Sequence, residues 1–153
     1  GGHVQSHIKN SKTDKKREGD KDWYITASKP DRPGGITYSS LTFDPPLKDN
    51  EVLVSELDQD SINDNLVQCY LQKEPARKLT NLKKVPILIL SAEASYHSPY
   101  DHGTSNFLNQ AGVKHDFLRL EDRNIKGNGH MMMLEKNNHE IADCLLNWMY
   151  SKI

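Results

Sequence analysis

Long apolar runs are missing from this chain of 153 residues. The longest, Val85-Pro86-Ile87-Leu88-Ile89-Leu90, falls far short of the roughly 20 residues that a membrane-spanning helix requires, so no membrane partner is expected. Cysteine is equally scarce. Cys69 and Cys144 are too few for a disulfide framework and too far apart for a close-spaced metal motif, and they read as packed or free thiols with one optional disulfide. An excess of one charge is also absent: 20 basic and 21 acidic residues leave a net charge of -1, without the positive field on which sequence-independent nucleic-acid binding depends. The first six residues, Gly1 to Ser6, have neither an initiator Met nor an apolar signal-peptide core, so they report no compartment. What remains is a nearly neutral chain, 35% hydrophobic, with material for one domain of modest core.

Three stretches differ in character. Residues 1–22 are expected to form a disordered, charged tail: from Ile8 to Asp22 there are six basic and four acidic residues and almost nothing apolar to offset the entropy of ordering. Residues 23–84 read as a lid- or insertion-like segment with one helix: from Trp23 to Asn50, Pro30, Pro33-Gly34-Gly35 and Pro45-Pro46 stand between short extended pieces, which suggests a stretch outside the core. Later in the same segment, Ile62, Leu66, Cys69 and Tyr70 recur at spacings of three and four, with Ser61 available as a cap. That spacing predicts an amphipathic helix over 61–72, ended by Pro75.

The remaining stretch, 85–153, is the most regular. The aliphatic run opened by Pro86 matches a strand buried on both faces of a parallel sheet. A helix from His102 to Ala111 buries Phe107, Leu108 and Ala111 and stops at Gly112, and Val113 to Leu120 alternates weakly into a second strand. After a polar loop over Glu121 to Gly129, a last helix spans Asn138 to Ser151 with Ile141, Cys144, Leu145, Trp148 and Met149 on one face and Asn138 as its cap. Strand, helix, strand is a βαβ crossover, so the fold class is α/β, with the sheet between helices.

Gly127-Asn128-Gly129-His130-Met131-Met132-Met133 lies in the loop between the second strand and the last helix. There His130 stands at the carboxyl edge of a parallel sheet, where reacting groups gather in α/β folds. The flanking glycines permit a sharp turn that presents the imidazole. The same spacing also suits a hydrogen-bonded loop histidine with no chemical task.

The stretch GNGHMMMLEKNNHEIADCLLNWM, with VPILILSAEASYHSPYDH before it and CYLQKEPARKL and LTFDPP further upstream, resembles the C-terminal part of the α/β-hydrolase superfamily. It is most similar to a group of esterase-like proteins with a G-N-x-H-M-M-M signature. The similarity runs over about residues 30–150. It implies a partial α/β-hydrolase fold, with the N-terminal half and its nucleophile elbow absent, and a role for His130 as the general base of a Ser-His-acid triad. Imidazole suits that task because it can deprotonate a serine and then reprotonate the leaving alcohol. No G-x-S-x-G elbow occurs here; Gly103-Thr104-Ser105-Asn106-Phe107 lacks the second glycine. Glu93 is the candidate acid, with Asp101 nearby and Ser95 where an aspartate often stands in the superfamily. Tyr96, His97 and Tyr100 are the candidate substrate-lining residues.

Three functions follow: a carboxylic ester hydrolase fragment that contributes the triad histidine and does not turn over alone, a hydrolase-like binding or regulatory module without catalysis, and a self-sufficient hydrolase using Ser95 or Ser105 with His130 and Glu93. A small-molecule ester is the expected partner of the complete fold, and an unpaired strand edge invites self-association. His97, His102 and His115 make an alternative metal cluster, but they fall on a loop, a helix start and a strand start. No metal and no cofactor is therefore expected.

Overall fold

The computed structural model describes residues 42–48, 51, 53–58, 66 and 69–153, so the charged tail lies outside the described residues. Among the described residues there are two two-stranded sheets and two α-helices. β1 (Ser55–Leu57) pairs antiparallel with β2 (Tyr70–Gln72), and β3 (Leu88–Ser91) pairs parallel with β4 (Asp116–Arg119), Leu90 opposite Leu118. Helix α1 (Asp101–Gln110) connects β3 to β4, and α2 (Asn138–Tyr150) follows β4 after a loop. The expected strand-helix-strand-helix order is present as a mixed α/β arrangement with a small parallel sheet.

The two helices cover opposite faces of the parallel pair, because successive residues of a strand point to opposite sides. Ile87 and Ile89 pack against a core of Phe107, Leu108, Ala111, Val113, Phe43, Leu53 and Leu79. Leu90 and Leu118 turn the other way, onto Ala92, Leu120, Ile125 and Ile141 of the second cluster. The strand expected to be buried on both faces therefore has an apolar cluster on each.

Gly112 ends α1 as the composition suggested. It takes a left-handed conformation with φ +73°, its N–H donates to Asn109 O at 3.0 Å, and the Val113 N–H reaches back to Leu108 O at 2.9 Å. A Cβ here would meet only flexible lysine carbons, Lys78 Cδ at 3.6 Å and Lys83 Cε at 3.9 Å, so the cost of alanine lies in the backbone. Gly112→Ala is expected to lose about 1–2 kcal/mol of stability in urea melts. An unchanged midpoint would mean that the left-handed cap is not held.

Three expectations need correction. The helix read over 61–72 does not reach its end: Tyr70–Gln72 is strand β2, and residues 61–65, 67 and 68 lie outside the described residues. Tyr70 and Gln72 are buried on either side of a half-buried Leu71, a period of two that a four-residue spacing count overlooks. Gln72 is also fixed by distant partners. Its side chain donates to Arg77 O at 3.0 Å and accepts from the Arg77 N–H at 3.0 Å, while its main chain exchanges bonds with the Gln110 amide on α1.

Of the stretch from Trp23 to Asn50 read as outside the core, Phe43 enters the first apolar cluster, joined there by Leu53 and Leu79. These residues give the neighbouring helix an apolar surface on which to close. At the other end of the chain, Asn137, not Asn138, takes the cap position of α2 and makes no side-chain cap bond, because its amide is engaged elsewhere. Along α2 only Ile141 is fully buried, Cys144, Leu145 and Trp148 are half-buried, and Met149 is exposed. Trp148 Nε1–H and Lys152 Nζ both bind Asp116 Oδ2 at 2.7 Å, fastening the end of α2 to the start of β4. The lysine, and then the indole, hold the Asp116 carboxyl below the usual carboxylate range. Cys69 and Cys144 are not joined by a disulfide.

Candidate active site

Two turns at the carboxyl edge of the parallel pair make the site. The first, after β3, carries Glu93, Ser95, Tyr96 and His97 into the start of α1. The second, after β4, carries Gly127, Asn128, Gly129 and His130 toward α2. Parallel strands end at the same edge, so residues 35 positions apart in the chain meet there.

The histidine loop is held at four points. Its approach begins with a short 3-10 turn over Leu120–Arg123, closed by Asn124 at φ 62° and by the Ile125 N–H donating to Leu120 O at 3.0 Å. Glu93 Oε2 then accepts the Gly127 N–H at 2.8 Å, and the Ala94 N–H donates to Asn128 O at 3.0 Å, tying the loop to the turn after β3. Glu135 Oε1 accepts the Gly129 N–H at 3.1 Å. The buried amide of Asn128 exchanges two bonds with Asn137, donating at 2.7 Å and accepting at 3.2 Å, which joins the loop to the start of α2. Gly127 sits at φ +74°, a conformation that excludes most side chains.

His130 emerges half-buried from this frame. Its Nδ1 lies 3.3 Å from Ser95 Oγ, and Ser95, itself buried, also accepts the His97 N–H at 3.1 Å. The His97 ring stacks on His130 with centroids 4.2 Å apart and planes 11° from parallel. Tyr96, exposed on the outer side, tilts over the same imidazole at 4.6 Å. Behind His97 stand Tyr100, 4.8 Å from it ring to ring, and Asp101, whose Oδ1 is 3.5 Å from His97 Nδ1. Burial, and secondly the neighbouring His97, push the His130 imidazole below its ordinary value of 6.5, with Asp101 opposing. A base of this kind stays neutral, and so able to accept a proton, into mildly acidic solution.

Of the residues singled out from the sequence, His130, Tyr96 and His97 are in mutual contact, and Tyr100 touches His97. Glu93 is elsewhere in the frame. Its exposed carboxylate binds the Gly127 N–H, three residues before the histidine, and not the imidazole. Ser95 stands on Nδ1, the nitrogen that the acid contacts in a serine-histidine-acid triad, whereas the nucleophile belongs on Nε2. Ser105 is placed against a different histidine: its Oγ is 2.8 Å from His115 Nε2, and His115 Nδ1 lies 3.0 Å from Val113 O.

The alternative metal cluster is dispersed. His97 belongs to the stack, His115 pairs with Ser105, and His102 Nε2 lies 3.7 Å from Cys69 Sγ. Among the described residues no group of three or more His, Cys, Asp or Glu is placed to hold a metal ion. Sequence reasoning overlooked the Asn128-Asn137 pair and the tether from Glu135 to Gly129. A buried asparagine between two glycines was the available signal for the first. Nothing local signalled the second.

The chain is 43% identical over 123 residues to a protein named probable secreted lipase phiG, from a fungal species (strain ATCC 74256). The match takes in 77% of this chain and 32% of the lipase, so the chain spans about a third of the length of that relative. No family model matches the chain, and no solved structure matches it.

Proposed function

We propose that this chain is part of a lipase- or esterase-like hydrolase of the α/β-hydrolase type, in which His130 is the general base of an acyl-transfer reaction on carboxylic esters. The observation that carries this reading is the tethered, partly desolvated imidazole at the carboxyl edge of the parallel pair. One nitrogen is occupied by Ser95, and the ring packs against both Tyr96 and His97, which also touch each other. The similarity to a protein named as a secreted lipase supports the same chemistry.

In this reading Nδ1 carries a proton donated to Ser95 Oγ, which leaves the Nε2 lone pair to deprotonate an attacking serine. The same Nε2 returns that proton to the leaving alcohol, and after acyl transfer it activates the water that hydrolyses the acyl-enzyme. The nucleophile and its oxyanion donors come from sequence beyond these 153 residues. Glu93, Glu135 and the Asn128-Asn137 pair hold the loop so that the imidazole arrives in place. Tyr96 and His97 form the wall that an ester would meet.

Incubating the purified chain with a fluorophosphonate and mapping adducts by mass spectrometry tests this reading, since the reagent reports an activated serine without the right ester. The expected result is a folded chain with no adduct and no ester turnover. Adduct at Ser95 that is lost in His130→Ala would overturn the missing nucleophile and establish a self-contained site on the Ser95-His130 contact.

A further inference from the structure

A serine-histidine pair that forms an imidazolium during turnover needs a negative charge to stabilise it, and ordinarily a carboxylate touches Nδ1. Here a neutral hydroxyl, Ser95 Oγ, has that position. The carboxylates around His130 come from three elements. Glu93, in the turn after β3, is bound to the Gly127 N–H, and Glu135, before α2, is bound to the Gly129 N–H. Asp101, in the first turn of α1, faces the site from behind His97. Among the described residues, the other polar groups in contact with the ring are the Ser95 hydroxyl and the imidazole of His97, with the Tyr96 ring on the outer side.

Glu93 and Glu135 spend an oxygen each on a backbone N–H of the histidine loop. Asp101 has a different geometry. Its Oδ1 is 3.5 Å from His97 Nδ1, both side chains are largely buried at 11% and 14% exposure, and the His97 ring lies flat on His130. Water is thinned out along this line, so the field of the carboxylate reaches His130 with less screening than it would at the surface. The His130 ring feels Asp101 in the direction that favours its protonated form, opposite to burial and to His97.

We propose that Asp101, and not Glu93, is the acidic member of this site: acting across the stacked ring of His97, it stabilises the protonated His130, while His97 fixes the plane of that imidazole. Both are positioning residues, since neither forms a hydrogen bond with His130. The catalytic meaning rests on the proposed role of His130; the coupling between the groups does not.

The test is an NMR titration of the histidine ring protons of the full chain across the acidic and neutral range, with the His130 signal identified by its loss in His130→Gln. Asp101→Asn is expected to lower the His130 midpoint by about half a unit or more, and Asp101→Glu to return it part of the way. His97→Gln, which removes the stacked imidazole, is expected to raise it. Loss of folding would bring His130 up toward its ordinary value, the opposite of the fall expected for Asp101→Asn, so the two are told apart. A midpoint that is unmoved or raised in a folded Asp101→Asn chain overturns the assignment, as would a fall in Glu93→Gln equal to that in Asp101→Asn. Because the titration needs no turnover, a coupled His130 in a protein without ester hydrolysis would retain this inference and overturn the proposed function. Hydrolysis with an uncoupled His130 would do the reverse.

Discussion

His130→Ala is expected to remove all but about one part in 10⁴ of the ester turnover of the protein, measured on a short-chain p-nitrophenyl ester once the nucleophile-bearing sequence is joined to this chain. The size follows from the task. Without the His130 imidazole the frame loses the ring aimed at the serine: Glu93 and Glu135 are bound to backbone N–H groups, the Ser95 hydroxyl is not a base at neutral pH, and the stacked His97 has its Nδ1 on Asp101. What survives is the residual catalysis of binding and oxyanion stabilisation, which in serine hydrolases is on the order of 10³–10⁴ over water. KM should change little, since the loss falls on the transition state and not on ground-state binding. If His130 is that base, turnover of the unsubstituted protein is expected to rise with pH through a midpoint below 6.5, because burial and His97 disfavour the protonated ring. A His130→Ala protein that keeps a tenth or more of its activity would remove the imidazole from the mechanism, and the lipase resemblance would then need another base.

The parts of the fold and site that were legible in the sequence are those specified by neighbours in the chain. The aliphatic run at Ile87 to Leu90 calls for burial on two faces, and it has an apolar cluster on each, with its own side chains half-buried. Gly112 must stop a helix, because few other residues tolerate its φ of +73°. The Gly-Asn-Gly-His run announced a turn presenting an imidazole, and Gly127 takes the left-handed conformation such a turn uses. What was not legible depends on groups distant in sequence. β2 is three residues long and contains a buried glutamine, whose burial is tolerable only because Arg77 and Gln110 satisfy its polar atoms. The same holds at the site. The bond from Gly127 to Glu93 spans 34 positions, and the stack of His97 on His130 exists only because two parallel strands end together. A carboxylate just after β3, Glu93, was a reasonable candidate acid from order alone. Its partner was decided by where the glycine loop passes.

Phe107→Ala is expected to cost about 3–5 kcal/mol in denaturant melts, enough to leave much of the chain unfolded without denaturant. Phe107 is completely buried in the middle of α1. Among the described residues it is the largest fully buried side chain, in the first apolar cluster with Ile87 and Ile89 and with Phe43, Leu53 and Leu79. Removing the ring leaves a cavity that these neighbours cannot close without moving α1, because the helix is also pinned at Gln110 by the main chain of Gln72 and at its end by Gly112. The damage does not stop at the core. Asp101 opens the same helix and His97 precedes it by one turn, so a helix that loosens separates the carboxylate from the stack that faces His130. Leu146→Ala on α2, where the side chain is 44% exposed, is the internal comparison and should cost no more than about 0.5 kcal/mol. Equal losses from the two substitutions would mean that α2 is covered in solution by something else, and that the first cluster is not what holds the site together. A large loss at Phe107 alone would make α1 the element through which core packing sets the geometry of the imidazole.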